Sequence, residues 1–538
     1  LKKEAKTFAG LSRRNRRVRD SPAKVFWFFF SKKNRFHERL RGRPALTASR
    51  VRGSAEGRTC QAKGWITVIT SPSAQPATMP PLPGAGERNL FGHPIGLSVL
   101  FGTEMWERFC YYGMRALLTF YMVQFLFLGD EPSHVLGYGA VKGALEAVYG
   151  PLKPQPLGAL IYGLYTFGTY LSCLFGGFIA DRVLGQRRAV ILGALVMATG
   201  EFMLVDPSLF FLGLLVLVAG NGFFKPNIST QVGGLYKPGD QRIDSAYSIF
   251  YVGINLGALI APIICGRVAH SGGGAPHWNY GFAAAGIGML IGLTINVLGQ
   301  RALPPDVRKR HKASGQADAK LTALDKRAIV ALCVLAFFNL FFWGCFEQQG
   351  ITLALMASDH TNLMTPIGKM DAEDIQSFNP FFIFTLTPVV IAFWAWQAKR
   401  GKEPSPVTKM AFGCAAAAVC YALLVIPGMQ IDAGHQVTWL WLLAAMALLT
   451  VGELYLSPVG LSLFSKAAPA KVASLMMAVN FLSNAAGNYL AGYLGTWWDS
   501  MSKGSYFIMI ASITGVTAIA IGLLSRVLQP VLAARMNQ

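Results

Sequence analysis

Three features of the 538-residue sequence predict an all-α membrane protein: twelve transmembrane helices in two six-helix bundles, preceded by a disordered basic N-terminal extension. The chain is 53% hydrophobic and only 14% charged, against roughly 25% charged in ordinary soluble domains. Apolar runs long enough to span a bilayer recur twelve times between residues 95 and 528. The positive charge is unevenly spread: residues 1–78 hold 19 Lys+Arg against 4 Asp+Glu, and the other 460 residues hold 30 against 23. The net charge of +22 is therefore mostly a property of the extension, and no nucleic-acid partner is expected for the apolar part.

The extension begins with Leu1 and runs through Arg13, Arg14, Arg16, Arg17 and Arg19 without a sustained apolar period, a composition that cannot bury enough surface to order itself. Its one apolar run, residues 25–30, is six residues long, far short of the roughly 20 that cross a bilayer. Three readings stand: an upstream sequence wrongly joined to the gene and not part of the native protein, a basic tail held against anionic lipid, or a nucleic-acid-binding arm. A transit peptide is a fourth. Met79, followed by a short polar leader, is the expected start of the native protein.

The apolar runs cover 95–127, 157–179, 189–206, 208–228, 246–269 and 280–299, then 327–356, 378–398, 407–427, 437–464, 472–497 and 505–528. In lipid every backbone polar group must be satisfied internally, so spans of this length are helices. The basic stretch 301–327 divides them into six-helix bundles over 79–300 and 328–538 and reads as a cytoplasmic linker. Loops after even-numbered spans carry 19 basic residues, whereas the opposite loops carry Lys142, Lys153, Lys369 and Lys503. Because basic residues stay on the cytoplasmic side, both termini are expected there, in a multi-pass protein of the cytoplasmic (inner) membrane. The segment 129–156 is the longest outer loop, and its Pro and Gly content argues against another span.

Seven of the eight cysteines lie in apolar runs without metal-ligand spacing and read as small core residues, and the eight histidines fall in loops, at span ends or in the extension. No HExxH, P-loop or GxSxG occurs. Neither an enzyme, nor a metal site, nor a cofactor is expected.

A charge at the bilayer centre costs roughly 2.5–3.5 kcal/mol on insertion scales, yet the first span contains Glu104, Glu107, Arg108 and Arg115 with Tyr111 and Tyr112 between them. At helical spacing most of these share one stripe about 16 Å long. Lys225, Glu347 and Glu453 lie in three other spans and need partners across the bundle. Fixed ion pairs are one account, but a static bundle could replace them with apolar packing at little loss. Pairs that form and break along a polar pathway are the alternative, and buried carboxylates near cations suit proton coupling. Glu201, five residues from Asp206, reads as interfacial. Gly220, Gly222 and Pro226 around Lys225, Gly253 and Gly257 around Asn255, Pro380 after Asn379 and Pro458 after Ser457 suggest helices that open their backbone to a cavity.

Residues 104–112 read E-M-W-E-R-F-C-Y-Y and resemble the ExxERFxYY signature of the proton-dependent oligopeptide transporters of the major facilitator superfamily. Residues 176–188 resemble the superfamily's loop motif, and 223–227, 250–257, 346–348 and 452–462 resemble further peptide-transporter signatures, so the likeness covers roughly 90–530. It implies two bundles rocking about a central site, with Glu104, Glu107, Arg108 and Glu347 as proton-coupling residues. Arg108, Lys225 and Asn255 would hold a peptide carboxylate and Asn379 and Glu453 its amino group. Tyr111, Tyr112, Tyr170, Tyr251, Trp343 and Ser457 would line the pocket, with Asn480 on its wall. Arg115 with Glu347 would form the outer gate pair and Lys225 with Glu453 the inner one. The chain departs from the family in three places: there is no helix pair between the halves, Asn480 stands where Trp is common, and the helix 2 histidine of animal members is missing. The expected function is proton-coupled import of di- and tripeptides by a monomer in membrane lipid. The runner-up is a carrier of nitrate, an amino acid or a peptide-like compound on the same fold.

Overall fold

The computed structural model describes residues 89–90, 92–237, 240, 242–272, 274–306, 321–366 and 368–536. The expected extension 1–78, the start at Met79, Cys60 and most of the 301–327 linker lie outside these residues.

The architecture is helical. In chain order the helices are α1 (Ile95–Tyr121), α2 (Tyr138–Tyr149), α3 (Pro154–Ile179), α4 (Gln186–Met203), α5 (Phe210–Gly234), α6 (Ile243–Ala269) and α7 (Trp278–Gly299). They continue as α8 (Ala323–Phe346), α9 (Thr352–His360), α10 (Phe378–Lys399), α11 (Pro406–Asp432), α12 (Leu440–Ala467), α13 (Ala473–Gly495) and α14 (Lys503–Met536). Among the described residues, nine helices are long and apolar enough to cross a membrane. The long helices outside that set are α1, with its four charges, α4, with Arg187, Arg188 and Glu201, and α13, diluted by Asn480, Asn484 and Asn488.

Two hydrophobic cores organise the packing. One joins residues of α1 and α3–α7, where Leu117, Met197, Phe224 and Phe282 are fully or almost fully buried; the other joins α8, α9 and α11–α14, around Phe342, Tyr421, Phe464 and Phe507, with Phe378 and Phe382 of α10 packed against it. The two sets meet where α3 packs on α13 and α6 on α10.

The structure corrects several expectations. The apolar run 327–356 is not one helix: α8 ends at Phe346, the 3₁₀ turn Glu347–Gly350 follows, and α9 starts anew. Apolarity continues through this break, so hydropathy alone does not reveal it. The outer loop contains α2, whose 12 residues span about 18 Å, too short to cross a bilayer. The expected backbone openings do not occur: Pro226 lies inside continuous α5, Pro458 inside continuous α12, and Pro380 sits in the first turn of α10. A proline costs one backbone hydrogen bond and need not break a packed helix. Cys333 is exposed rather than core, while Cys110, Cys265, Cys345, Cys414 and Cys420 are buried.

The glycines serve close helix approach. A Cβ at Gly176 of α3 would strike the Gly222 carbonyl of α5, and one at Gly222 would lie 2.7 Å from the Ser172 carbonyl oxygen. Gly176→Ala is therefore expected to force α3 and α5 apart at a cost of about 1–3 kcal/mol, read as a lower thermal midpoint in detergent. Gly139→Ala in α2, where nothing lies within 4 Å, should leave that midpoint unchanged.

Candidate functional site: a charged stripe between two sets of helices

Helix α1 buries its whole charged stripe. Glu104, Glu107, Arg108 and Arg115 are each less than 10% exposed. Arg108 donates from Nε and Nη2 to the two carboxylate oxygens of Glu107, and its Nε also lies 3.4 Å from Glu104 Oε1. Glu104 Oε2 has no hydrogen-bond partner. Two carboxylates thus share one guanidinium, with the Lys225 ammonium of α5 the next cation within electrostatic reach of both. Gly257 lets α6 approach here, because a Cβ there would meet the Met105 carbonyl and lie 2.9 Å from Arg108 Cβ.

Around this cluster Arg108 lies 5.1 Å from the centre of the Tyr111 ring, which packs edge-on to Tyr112. Lys225 of α5 points its ammonium at the Tyr170 ring of α3, 5.0 Å from the centre. Asn255 donates to the Tyr251 carbonyl at 2.9 Å, while the Tyr251 side chain is itself exposed. These cations and amides all belong to the first helix set.

The second set supplies a carboxylate and further amides. Asn379 of α10 donates to Glu453 at 2.9 Å and to Thr450 at 3.0 Å, both on α12, with Ser457 half-buried one turn beyond. Trp343 is buried and its indole N–H lacks a partner. Asn480 is buried on α13, where Asn339 of α8 donates to Ser483 at 3.1 Å and to Asn484 at 2.9 Å. Sequence reasoning singled out neither Thr450 nor Asn339, because a lone polar residue in an apolar helix carries no spacing signal.

Arg115 joins the sets. It forms an ion pair with Glu347 in the turn after α8 and donates to the Tyr162 hydroxyl of α3. Thr119 donates to the Gly350 carbonyl at 2.7 Å, and a Cβ on Gly350 would collide with the Tyr162 hydroxyl. Tyr162 was not foreseen; nothing in its local sequence marks it. By contrast, no ion pair joins Lys225 to Glu453 among the described residues: Lys225 faces Tyr170 and Glu453 holds Asn379. Among the described residues, the side-chain hydrogen bonds and ion pairs linking the sets lie toward the end that carries α2, including Gln155 to the Gly495 carbonyl at 3.0 Å and Ser377 to the Leu259 carbonyl at 2.8 Å. The molecule is tied together at the α2 end.

Glu201 is not interfacial. Its side chain is fully buried, with Cys110 Sγ 3.3 Å from Oε1 and no partner for Oε2. Proximity to the exposed Asp206 misleads because α4, before it ends at Met203, turns the Glu201 side chain onto Cys110 of α1 and Gly286 of α7.

The chain matches the POT family model over residues 187–317 and 309–509. It is 32% identical to the peptide transporter YePEPT of Yersinia enterocolitica over 76% of this chain and 89% of that protein. It is 30% identical to a di-/tripeptide transporter of Lactococcus lactis subsp. cremoris, over 81% and 95% respectively. Among solved structures it resembles the peptide transporter POT in complex with sulfate, with a TM-score of 0.72 and 29% identity over 84% of this chain and 97% of that one. A variant of a peptide transporter POT in complex with alafosfalin aligns with a TM-score of 0.70 and 31% identity, over the same shares of the two chains.

Proposed function

The chain belongs to the POT family, and from that premise we propose that it is a proton-coupled symporter that imports di- and tripeptides by alternating access. The observation that carries this reading is the buried α1 stripe, which places two carboxylates on one guanidinium and an arginine on a carboxylate of the other helix set. Charges this deep in a membrane are costly, and a carrier uses them: protons weaken the acid–base pairs, and the released groups bind the charged ends of a substrate.

In this reading the chain forms twelve transmembrane helices, six in each of two bundles over 79–300 and 328–538, and works as a monomer in the cytoplasmic membrane with both termini inside. Arg108, Lys225 and Asn255 receive the peptide carboxylate, and Asn379 and Glu453 the amino group. Arg115–Glu347 is the outer gate pair, formed here, and Lys225–Glu453 is an inner pair that forms only when the linker end closes. The joined α2 end supports an inward-facing arrangement.

Labelled dialanine should enter proteoliposomes of the full chain when the outside is acidic, and unlabelled dipeptide should compete. Competition by free alanine or nitrate without competition by dipeptides would overturn the peptide assignment in favour of another small solute. Asn480 gives a finer prediction: Asn480→Trp should fill and dry this part of the pocket wall, costing peptides with a polar side chain roughly tenfold in apparent affinity, as expected for losing one hydrogen bond of about 1 kcal/mol plus space. Competition by diserine against dileucine checks it.

A further inference from the structure

Outside the charged stripe, a second polar cluster crosses between the two helix sets. Arg267, in the last turn of α6, places Nε 2.8 Å from Asp371 and Nη2 3.2 Å from Asp374. One residue past that helix, His270 Nε2 lies 3.4 Å from Glu373 Oε1. Asp371, Glu373 and Asp374 belong to the turn that leads into α10, so all three contacts tie α6 to the other set at the α2 end. Glu373 is 2% exposed, and its second oxygen has no partner. Gly266 brings the two segments together, since a Cβ there would lie 3.3 Å from Glu373 Cβ. A carboxylate buried this way favours a proton on the imidazole it touches.

We propose that His270 and Glu373 form a proton-operated latch: in acid it holds the α2 end closed, and as the pH rises it loosens, independently of the charged stripe on α1. The inference rests on the alternating-access reading for its purpose, because it makes closure of that end respond to acidity on the side from which protons enter.

The groups acting on His270 are Glu373, Asp371 and Lys369 from the second set, with the Trp278 ring edge-on to it at the start of α7; Arg267, in the last turn of the preceding helix, is engaged by Asp371 and Asp374. The hydrogen bond to Glu373 holds the His270 imidazolium above its ordinary value of about 6.5, with burial and the Lys369 charge opposing. Separating the sets returns His270 to the ordinary value. Protonation therefore favours the joined arrangement; the contribution is fully present below about pH 6.5 and is lost as the pH rises through the raised value.

Spin labels at Asp130→Cys and Gln436→Cys, both exposed at the α2 end, report the separation of the sets in nanodiscs with one pH on both faces, on a Cys60→Ser, Cys333→Ser background. The joined fraction should fall as the pH rises above 6.5. His270→Gln should lose that fall and leave only changes at lower pH from carboxylates. Glu373→Gln should shrink the fall, because the joined-state value then returns toward the ordinary one and little difference between the two arrangements remains. Arg267→Gln should lower the joined fraction at every pH without moving the midpoint. A His270→Gln profile that keeps the fall above pH 6.5, or is lower by one constant factor throughout, would overturn the latch and leave only a structural contact. The distances do not require transport, so absence of dipeptide uptake would sink the functional reading while leaving the latch standing.

Discussion

Glu107→Gln should reduce proton-driven dipeptide uptake by roughly tenfold to a hundredfold, the range set by losing a hydrogen bond to a charged group worth about 1.5–3 kcal/mol. Glu107 is fully buried and both its oxygens accept from Arg108, so glutamine keeps the shape and one acceptor but removes the charge that protonation would switch. Exchange of labelled for unlabelled peptide, which needs no net proton movement, should survive. Loss of exchange together with driven uptake would mean that Glu107 holds the fold or the substrate rather than the proton.

Arg115→Ala should have the largest conformational effect. It leaves Glu347, 3% exposed, without its cation, and breaking one partner of a buried pair costs about 3–5 kcal/mol. The closed α2 end should lose population by roughly a hundredfold to a thousandfold, at about 1.4 kcal/mol per tenfold. Distance measurements across that end should show the separated state. Glu347→Gln, which offers Arg115 a neutral acceptor, should shift the population far less. Equal distance distributions in wild type and Arg115→Ala would remove the pair from the gating mechanism.

Much of this architecture was legible because lipid imposes a simple rule: a spanning backbone must satisfy itself as a helix, so apolar runs and the rare charges within them are informative. The α1 stripe is a case in point, since residues 104, 107, 108, 111 and 115 share a face by spacing alone. The end of α8 was not legible, because the turn at Glu347–Gly350 is made of residues that suit a helix nearly as well and is held by contacts with Arg115 and Thr119 from far away in the chain. Tyr162, Thr450 and Asn339 were missed for the same reason: their partners lie on other helices. Glu201 was misread because proximity to a polar turn says nothing about which face of α4 it occupies. The cluster of Arg267, His270, Asp371, Glu373 and Asp374 joins segments more than 100 residues apart, a distance over which single-sequence reasoning has no pairing signal.

Proton–peptide coupling is tested most directly by running the cycle on the peptide gradient alone. Proteoliposomes containing the full chain and an internal pH dye, with equal pH on both faces, are given external dialanine. Internal acidification that tracks peptide entry and is lost in Glu107→Gln is the predicted result. Peptide entry with no proton movement would contradict it.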